Sequence, residues 1–381
     1  KGIVCSGILY LPTSFVTGGW LFSGVALIFS LFLTLFCIKL LLEVRTKLGG
    51  GVSFPEIGFI TYGKTGKILV DISLFSSQVG FTCAYIYFIA SQVTSVLDSA
   101  FDINIPDAYK WVYAPICFAI LFPMVMVRKI QTFSKFHLFG DIMIFLTVFT
   151  CMGYATASVV NNGWLDKDLP LFNSQLWPNS IGFAIYSFEG IGVILPIQDI
   201  TADKENYFTI VCYTGVAITA VYMIFAEFCL FAWYNRFTDE HPLITDYLPS
   251  DSVYCWIVKL LFAFQLIISY TLVIYPANMI VESYLYREWP KSKKRQMCKN
   301  FTRALLIIFT IVAALVIYNK LESFLAIVGS LTCTPIAFIL PAMFHYKACA
   351  ETPKQKFVDG FIFFLSVFIM IFCTIYAVLA W

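Results

Sequence analysis

Long apolar runs alternate with short polar connections along the whole chain. A helical run of about 20 apolar residues is long enough to cross a hydrocarbon core of roughly 30 Å. Hydropathy and breaker residues predict eleven such segments: 1–15, 20–44, 68–100, 111–127, 136–160, 179–196, 208–233, 253–284, 304–318, 324–346 and 357–381. Two of the segments are interrupted. Segment 179–196 carries Phe188-Glu189-Gly190-Ile191-Gly192, a carboxylate beside glycines at a depth where charge is costly and a broken helical ladder is hard to satisfy. The chain opens with Gly2-Ile3-Val4-Cys5-Ser6-Gly7-Ile8-Leu9-Tyr10-Leu11-Pro12. Two such interruptions, well separated, are the sequence pattern of a secondary transporter's binding site.

The interruptions also suggest a repeat. Gly7-Ile8-Leu9-Tyr10-Leu11-Pro12 and Gly192-Val193-Ile194-Leu195-Pro196 are related pieces five spans apart, so their helices cross in opposite directions. An inverted five-plus-five repeat with one added helix follows: a first half over 1–160, a second over 175–346 and an eleventh helix over 357–381. The predicted fold class is therefore an all-α membrane protein of eleven transmembrane helices.

Composition narrows the class without changing that picture. With 60% hydrophobic, 18% aromatic and 13% charged residues and a mean hydropathy of +0.82, 381 residues are too apolar for a water-soluble domain. A net charge of +2, with no basic patch interleaved with aromatics, gives no reason to expect nucleic acid. The twelve cysteines fall mostly inside apolar segments without a CxxC spacing, as small hydrophobes do. His137, His241 and His345 lie far apart with no nucleophile or metal motif beside them, so neither an enzyme nor a cofactor site is expected. No cleavable signal is visible. The abrupt start at Lys1 suggests that a tail and half a helix precede this numbering.

Charge placement sets an expected orientation. Arg45, Lys47, Lys64, Lys67, Arg128, Lys129, Lys204, the Lys291–Lys299 cluster, Lys347, Lys354 and Lys356 fall in one set of alternate connections. The other set holds only Lys110, Lys167, Arg236 and Lys320 among many acids. The first set is predicted to be cytosolic, and the chain to end outside or in a lumen. Asn300-Phe301-Thr302 then stays unglycosylated despite fitting the sequon, and Lys291–Lys299 fixes topology or touches anionic lipid headgroups.

Several motifs resemble the amino acid/auxin permease family, most closely its proton-coupled amino acid transporter branch. Lys1-Gly2 with Cys5-Ser6-Gly7-Ile8-Leu9-Tyr10-Leu11-Pro12 is similar to that branch's opening K-G-x-x-G-T-G-L-L-x-L-P, with Cys5 and Ser6 replacing glycine and threonine. Tyr62-Gly63-Lys64-Thr65-Gly66, Val70-Asp71 and Gln78 to Tyr85 resemble its third helix, and Phe183 to Pro196 its sixth. Gln198-Asp199 stands where the family has a Glu-Asn pair. Tyr275-Pro276 and Val328-Gly329-Ser330 add support from the eighth and tenth helices. The resemblance implies the leucine-transporter fold and transport of small neutral amino acids, often with a proton.

The residues themselves say what such breaks can do. Unwinding at Gly2, Cys5, Ser6 and Gly7 frees N–H groups at the positive end of a half-helix, suited to a substrate carboxylate. Unwinding at Phe188, Glu189 and Gly190 frees carbonyls that accept from an ammonium, with Phe188 and Tyr85 as pocket walls. Glu189 either titrates as a proton carrier or stays charged and pins the unwound backbone; Glu227 is a second proton-relay candidate. Ser269 and Thr271 either complete a sodium site or donate to carbonyls one turn back. Lys39, Asp71, Asp141 and Lys259 lie near span ends, where snorkelling accounts for them. The leading expectation is a proton-coupled symporter of small neutral amino acids in a plasma, endosomal, lysosomal or vacuolar membrane. The alternatives are sodium coupling, or an amino acid sensor or structural membrane subunit that keeps the fold.

Overall fold

Residues 6–101, 113–127, 131–163, 169–188, 190–233, 237, 242–317 and 320–381 are described by the structure, a computed structural model. Every regular element among them is helical. A 3₁₀ turn, Ser6–Tyr10, leads into α1 (Leu11–Gly18), followed by α2 (Trp20–Lys47), α3 (Phe54–Phe101), α4 (Tyr113–Val125) and α5 (Gln131–Asn162). Then come α6 (Trp177–Ser187), α7 (Ile191–Ile200), α8 (Tyr207–Trp233), α9 (Val253–Leu285) and α10 (Lys293–Ile317). The last elements are α11 (Leu321–Ile327), π-helical stretches Val328–Cys333 and Pro335–Ile339, α12 (Leu340–Ala348) and α13 (Pro353–Leu379). Nine segments among the described residues are long and apolar enough to cross a membrane, where eleven were expected. Of the other two, 111–127 yields only the shorter helix Ala114–Val125, and 1–15 yields the opening turn and the start of α1.

The chain forms two compact units. The first comprises Lys1–Ser77, Leu165–Tyr234 and Glu322–Trp381; the second comprises Gln78–Trp164 and Asn235–Leu321. In the first, α2 packs against α6, α8 and α12, α1 against α6 and α8, and α13 against α6 and α12. In the second, α5 lies along α9, and α4 lies against α9 and α10.

Both units turn the usual amphipathic pattern inside out. On α13, Phe357, Phe361, Phe364 and Phe368 are exposed at helical spacing, while Asp359, Ser366, Cys373 and Ala377 are buried. On α10, Met297, Phe301, Leu305 and Phe309 face outward and Arg303 and Thr310 inward. Water would penalise such a surface, whereas lipid accepts it and leaves polar contacts to the interior. Thr352 and Gln355 form a capping box at the start of α13: Thr352 Oγ1 accepts from Gln355 N at 3.3 Å, and Gln355 Oε1 accepts from Thr352 N at 3.0 Å.

Two glycine pairs bring backbone against backbone in the first unit. At Tyr62-Gly63 the chain of α3 turns sharply, with Gly63 at φ 65°, a left-handed conformation that side chains resist. The turn folds Gly58 against Gly66, where a Cβ on Gly58 would meet Gly66 O at 2.7 Å. The Tyr62–Gly66 motif is thus a backbone hinge with no room for a side chain at its crossing. In the second pair, Gly182 of α6 meets the π-helical stretch at Gly329. A Cβ on Gly182 would stand 2.5 Å from Ala326 O, and one on Gly329 would stand 2.7 Å from the Gly182 carbonyl carbon and collide with its oxygen. Small residues let two membrane helices touch backbone to backbone in this way.

Candidate functional site

The break expected in segment 179–196 is present in the first unit. α6 ends at Ser187 and α7 begins at Ile191. Phe188 N–H closes the end of α6 onto Ile185 O at 3.2 Å, and Gly190 precedes α7 in an extended conformation with its carbonyl accepting from Val193 N at 3.0 Å. Between Ser187 and Ile191 the helical ladder is interrupted, so the carboxyl end of α6 and the amino end of α7, which carry opposite dipole charges, adjoin along the chain. Phe188 is buried with its ring 6.2 Å from that of Tyr222. Tyr10, which ends the opening turn, packs edge-on to Phe183 at 5.0 Å, so Gly7 and the break belong to one unit. Gly2, Cys5 and Glu189 lie outside the described residues, as does the side chain of Ser6.

Beyond the break, α7 is firmly held. Arg45 of α2 donates from Nη1 to Leu195 O at 3.0 Å and Gln198 Oε1 at 2.7 Å, and from Nη2 to Asp199 Oδ1 at 2.5 Å. Tyr207 OH donates to Ile194 O at 2.8 Å. The Gln198-Asp199 pair, which departs from the family's Glu-Asn, therefore anchors α7 to a buried arginine. In the next connection Asn206 donates from its side chain and backbone to Asp203, holding that carboxyl below the usual range.

The remaining candidates divide between the units. Glu227 is half-buried on α8 in the first; a methyl group at Gly24 of α2 would stand 3.5 Å from its Oε1, so the glycine leaves the carboxyl space. Tyr85 is buried on α3 in the second. So are Ser269 and Thr271 on α9, where Ser269 Oγ accepts from Gln265 Nε2 at 2.8 Å and Thr271 Oγ1 donates to Ile267 O at 3.2 Å, one turn back.

Two expectations about charged groups need correction. Lys259 does not snorkel: it is 2% exposed and its Nζ donates to Ser95 Oγ at 2.7 Å. Asp71 is buried as well. Both sit on the inward face of long helices, and proximity to a helix end does not reveal that face. His345 is likewise buried, between two carboxylates. The first unit also holds an apolar cavity of about 180 Å³ beside Phe22, Ser30, Leu33, Ile185 and Phe338, which offers almost no polar surface to an amino acid.

With this geometry in view, comparison with known proteins gives the family. The family model described as "Transmembrane amino acid transporter protein" matches residues 1–379. The chain is similar to vacuolar amino acid transporter 3 of Schizosaccharomyces pombe, 31% identical over 98% of this chain and 56% of the relative. It is also similar to vacuolar amino acid transporter 3 of Saccharomyces cerevisiae, 29% identical over 91% of this chain and 50% of the relative. Amino acid transporter AVT3A of Arabidopsis thaliana is 26% identical over 97% of this chain and 85% of its own length. The chain spans about half the length of the yeast relatives. It is a multi-pass integral membrane protein from a family of transporters, not enzymes: it belongs to the transmembrane amino acid transporter family, the amino acid/auxin permease family that its motifs resemble.

Proposed function

We propose that the chain is the transport core of a secondary active transporter of small neutral amino acids, working by alternating access with proton symport. The observation that carries this reading is the break between α6 and α7, where the negative end of one helix dipole adjoins the positive end of the next and so suits both charges of a zwitterion. In this reading Gly2, Cys5, Ser6, Gly7, Phe188, Glu189 and Gly190 contact substrate, within an eleven-helix inverted repeat over 1–160, 175–346 and 357–381. The names of the yeast relatives favour amino acids as substrate and the vacuole as the membrane.

Proton coupling has the energy it needs. One charge falling through about 100 mV releases about 2.3 kcal/mol, enough for some fortyfold accumulation. The test is uptake of labelled alanine, glycine and proline into proteoliposomes holding the full-length protein, with and without an imposed pH gradient. Gradient-driven uptake in the absence of sodium is expected, falling by roughly a hundredfold in Glu189→Gln if the carboxyl takes part. Uptake that needs sodium would replace the proton with sodium. Amino acid binding without uptake by a folded sample would overturn the transporter reading in favour of a sensor.

A further inference from the structure

A second cluster of titratable side chains lies in the first unit, away from the helix break. His345 of α12 is 3% exposed. Its Nδ1 is 2.7 Å from Asp359 Oδ2 on α13, and its Nε2 is 3.1 Å from Glu43 Oε2 on α2. Asp359 is 1% exposed, whereas the side chain of Glu43 is 45% exposed. The His345–Asp359 pair is thus sealed from water, and Glu43 forms its open side.

A neutral imidazole has one N–H and one lone pair, so it can donate to only one of two flanking carboxylates. The other oxygen would face a lone pair at hydrogen-bond distance. Both contacts are made only when the trio holds one proton more than a neutral histidine and two carboxylates carry. That proton sits either on an imidazolium between two carboxylates or on a carboxylic acid donating to the ring.

The neighbouring charges are few. On α2, Lys39 Nζ lies 3.8 Å from Glu43 Oε1, and the Cys37 thiol is buried near Asp359. Beyond α12, the Cys349 thiol lies within electrostatic reach of Glu43, Asp359 and the Lys47–Glu351 pair, which is 2.9 Å apart. From α3, Tyr62 OH donates to Met343 O, and Lys347 Nζ sits 4.4 Å from the Tyr62 ring centre. Glu43 and Asp359 are the groups in direct contact with the ring.

We propose that Glu43, His345 and Asp359 form a proton-binding site, and that the bound proton ties α2 and α13 to α12. The site lies at the end of the unit that carries Arg45, Lys47, Lys347, Lys354 and Lys356, which the positive-inside rule assigns to the cytosol. Protons reach it along the exposed flank of Glu43. When the proton leaves, the ring keeps one carboxylate and releases the other, and Glu43 is left to Lys39. The site does not depend on Glu189 or Glu227, and it stands whether or not transport is coupled to protons.

A group that holds a proton only in the folded state adds stability at low pH and loses it as pH rises. The experiment is the melting temperature of the purified full-length protein in detergent between about pH 5 and about pH 9, beside His345→Gln and Asp359→Asn. Taking differences from wild type cancels every other titration. The wild type is expected to melt several degrees above each variant at about pH 6 and to lose that advantage by about pH 9. A difference that stays constant with pH would overturn the proposal. Should both variants fail to fold, the half-exposed Glu43→Gln decides. Its melting profile is expected to keep the wild-type shape with the midpoint about half a pH unit lower, and an unmoved midpoint would remove Glu43 from the site and overturn it. No transport is measured, so failure here is distinct from failure of the symporter reading.

Discussion

Gly329→Val is expected to leave little folded protein. A Cβ at this position runs into the backbone of α6, with the Gly182 carbonyl carbon 2.7 Å away and Tyr186 N 3.0 Å away. A backbone cannot rotate aside as a flexible side chain can, so α6 must move away from the π-helical stretch. α6 also carries the candidate break at its end, and displacing it disturbs site and core together. The cost belongs at or above the upper end of overpacking, about 3 kcal/mol or more. Fluorescence-detected size-exclusion chromatography of detergent extracts should show loss of the monodisperse peak. Gly360→Ala on α13 is the control, because a Cβ there meets nothing within 4 Å. It is expected to be neutral or to stabilise by up to about 1 kcal/mol through helix propensity. A Gly329→Val protein melting within about one degree of wild type would mean that the two helices do not approach as described.

Arg303→Met is the second large effect, and it falls in the second unit. Arg303 is 1% exposed on α10, donating from Nε to Glu282 Oε1 at 2.7 Å and from Nη1 to Val125 O at 2.8 Å. Val125 ends α4, so the guanidinium satisfies one of that helix's orphan carbonyls while it pairs with the carboxylate of α9. Methionine keeps much of the volume but strands both acceptors, leaving Glu282 with Lys299 Nζ alone at 2.7 Å. Breaking a buried pair on one side costs about 3–5 kcal/mol. The melting temperature should fall accordingly, and Arg303→Met with Glu282→Gln should recover part of the loss because the buried charge goes with its partner. A double variant no better than the single one would show that packing, rather than the stranded carboxylate, sets the cost.

The helix break was legible in the sequence because it is local. Phe188-Glu189-Gly190 interrupts an apolar run, whereas the motif around Tyr62-Gly63 carries a family resemblance and nothing in it announces the turn that α3 makes there. Burial of Lys259, Asp71 and His345 was not legible. Each lies near the end of the span expected from sequence, and hydropathy along one segment does not report which face meets another helix. The partners are also remote: Glu43 and His345 are 302 positions apart, and Arg45 and Asp199 are 154 apart. The candidate site was legible only in part for a related reason. Gly7, Phe188 and Gly190 were read as breaks in a pattern, whereas Tyr85 was chosen by residue type; of the two roles expected for Thr271, it takes the one within its own helix.

The end of α2 explains how a uniformly greasy helix knows which way to face. Along most of α2 the exposed residues are apolar, among them Leu21, Val25, Ile28 and Phe32, and Leu27, Leu31, Leu33 and Leu41 share the buried face with Ser23, Ser30 and Thr34. Such a cylinder would fit its neighbours at many rotational settings, since lipid and core are equally oily. Three alternate residues remove the freedom: Glu43 reaches α12, Arg45 reaches α7, and Lys47 reaches Glu351. A turn of about 100° per residue aims neighbouring side chains at different partners, so only one azimuth satisfies all three. Ser23 and Ser30 fix the same setting from the body of α2, donating to Ser14 O and Ala184 O, and the charged last turn works as the key that sets the lock's angle.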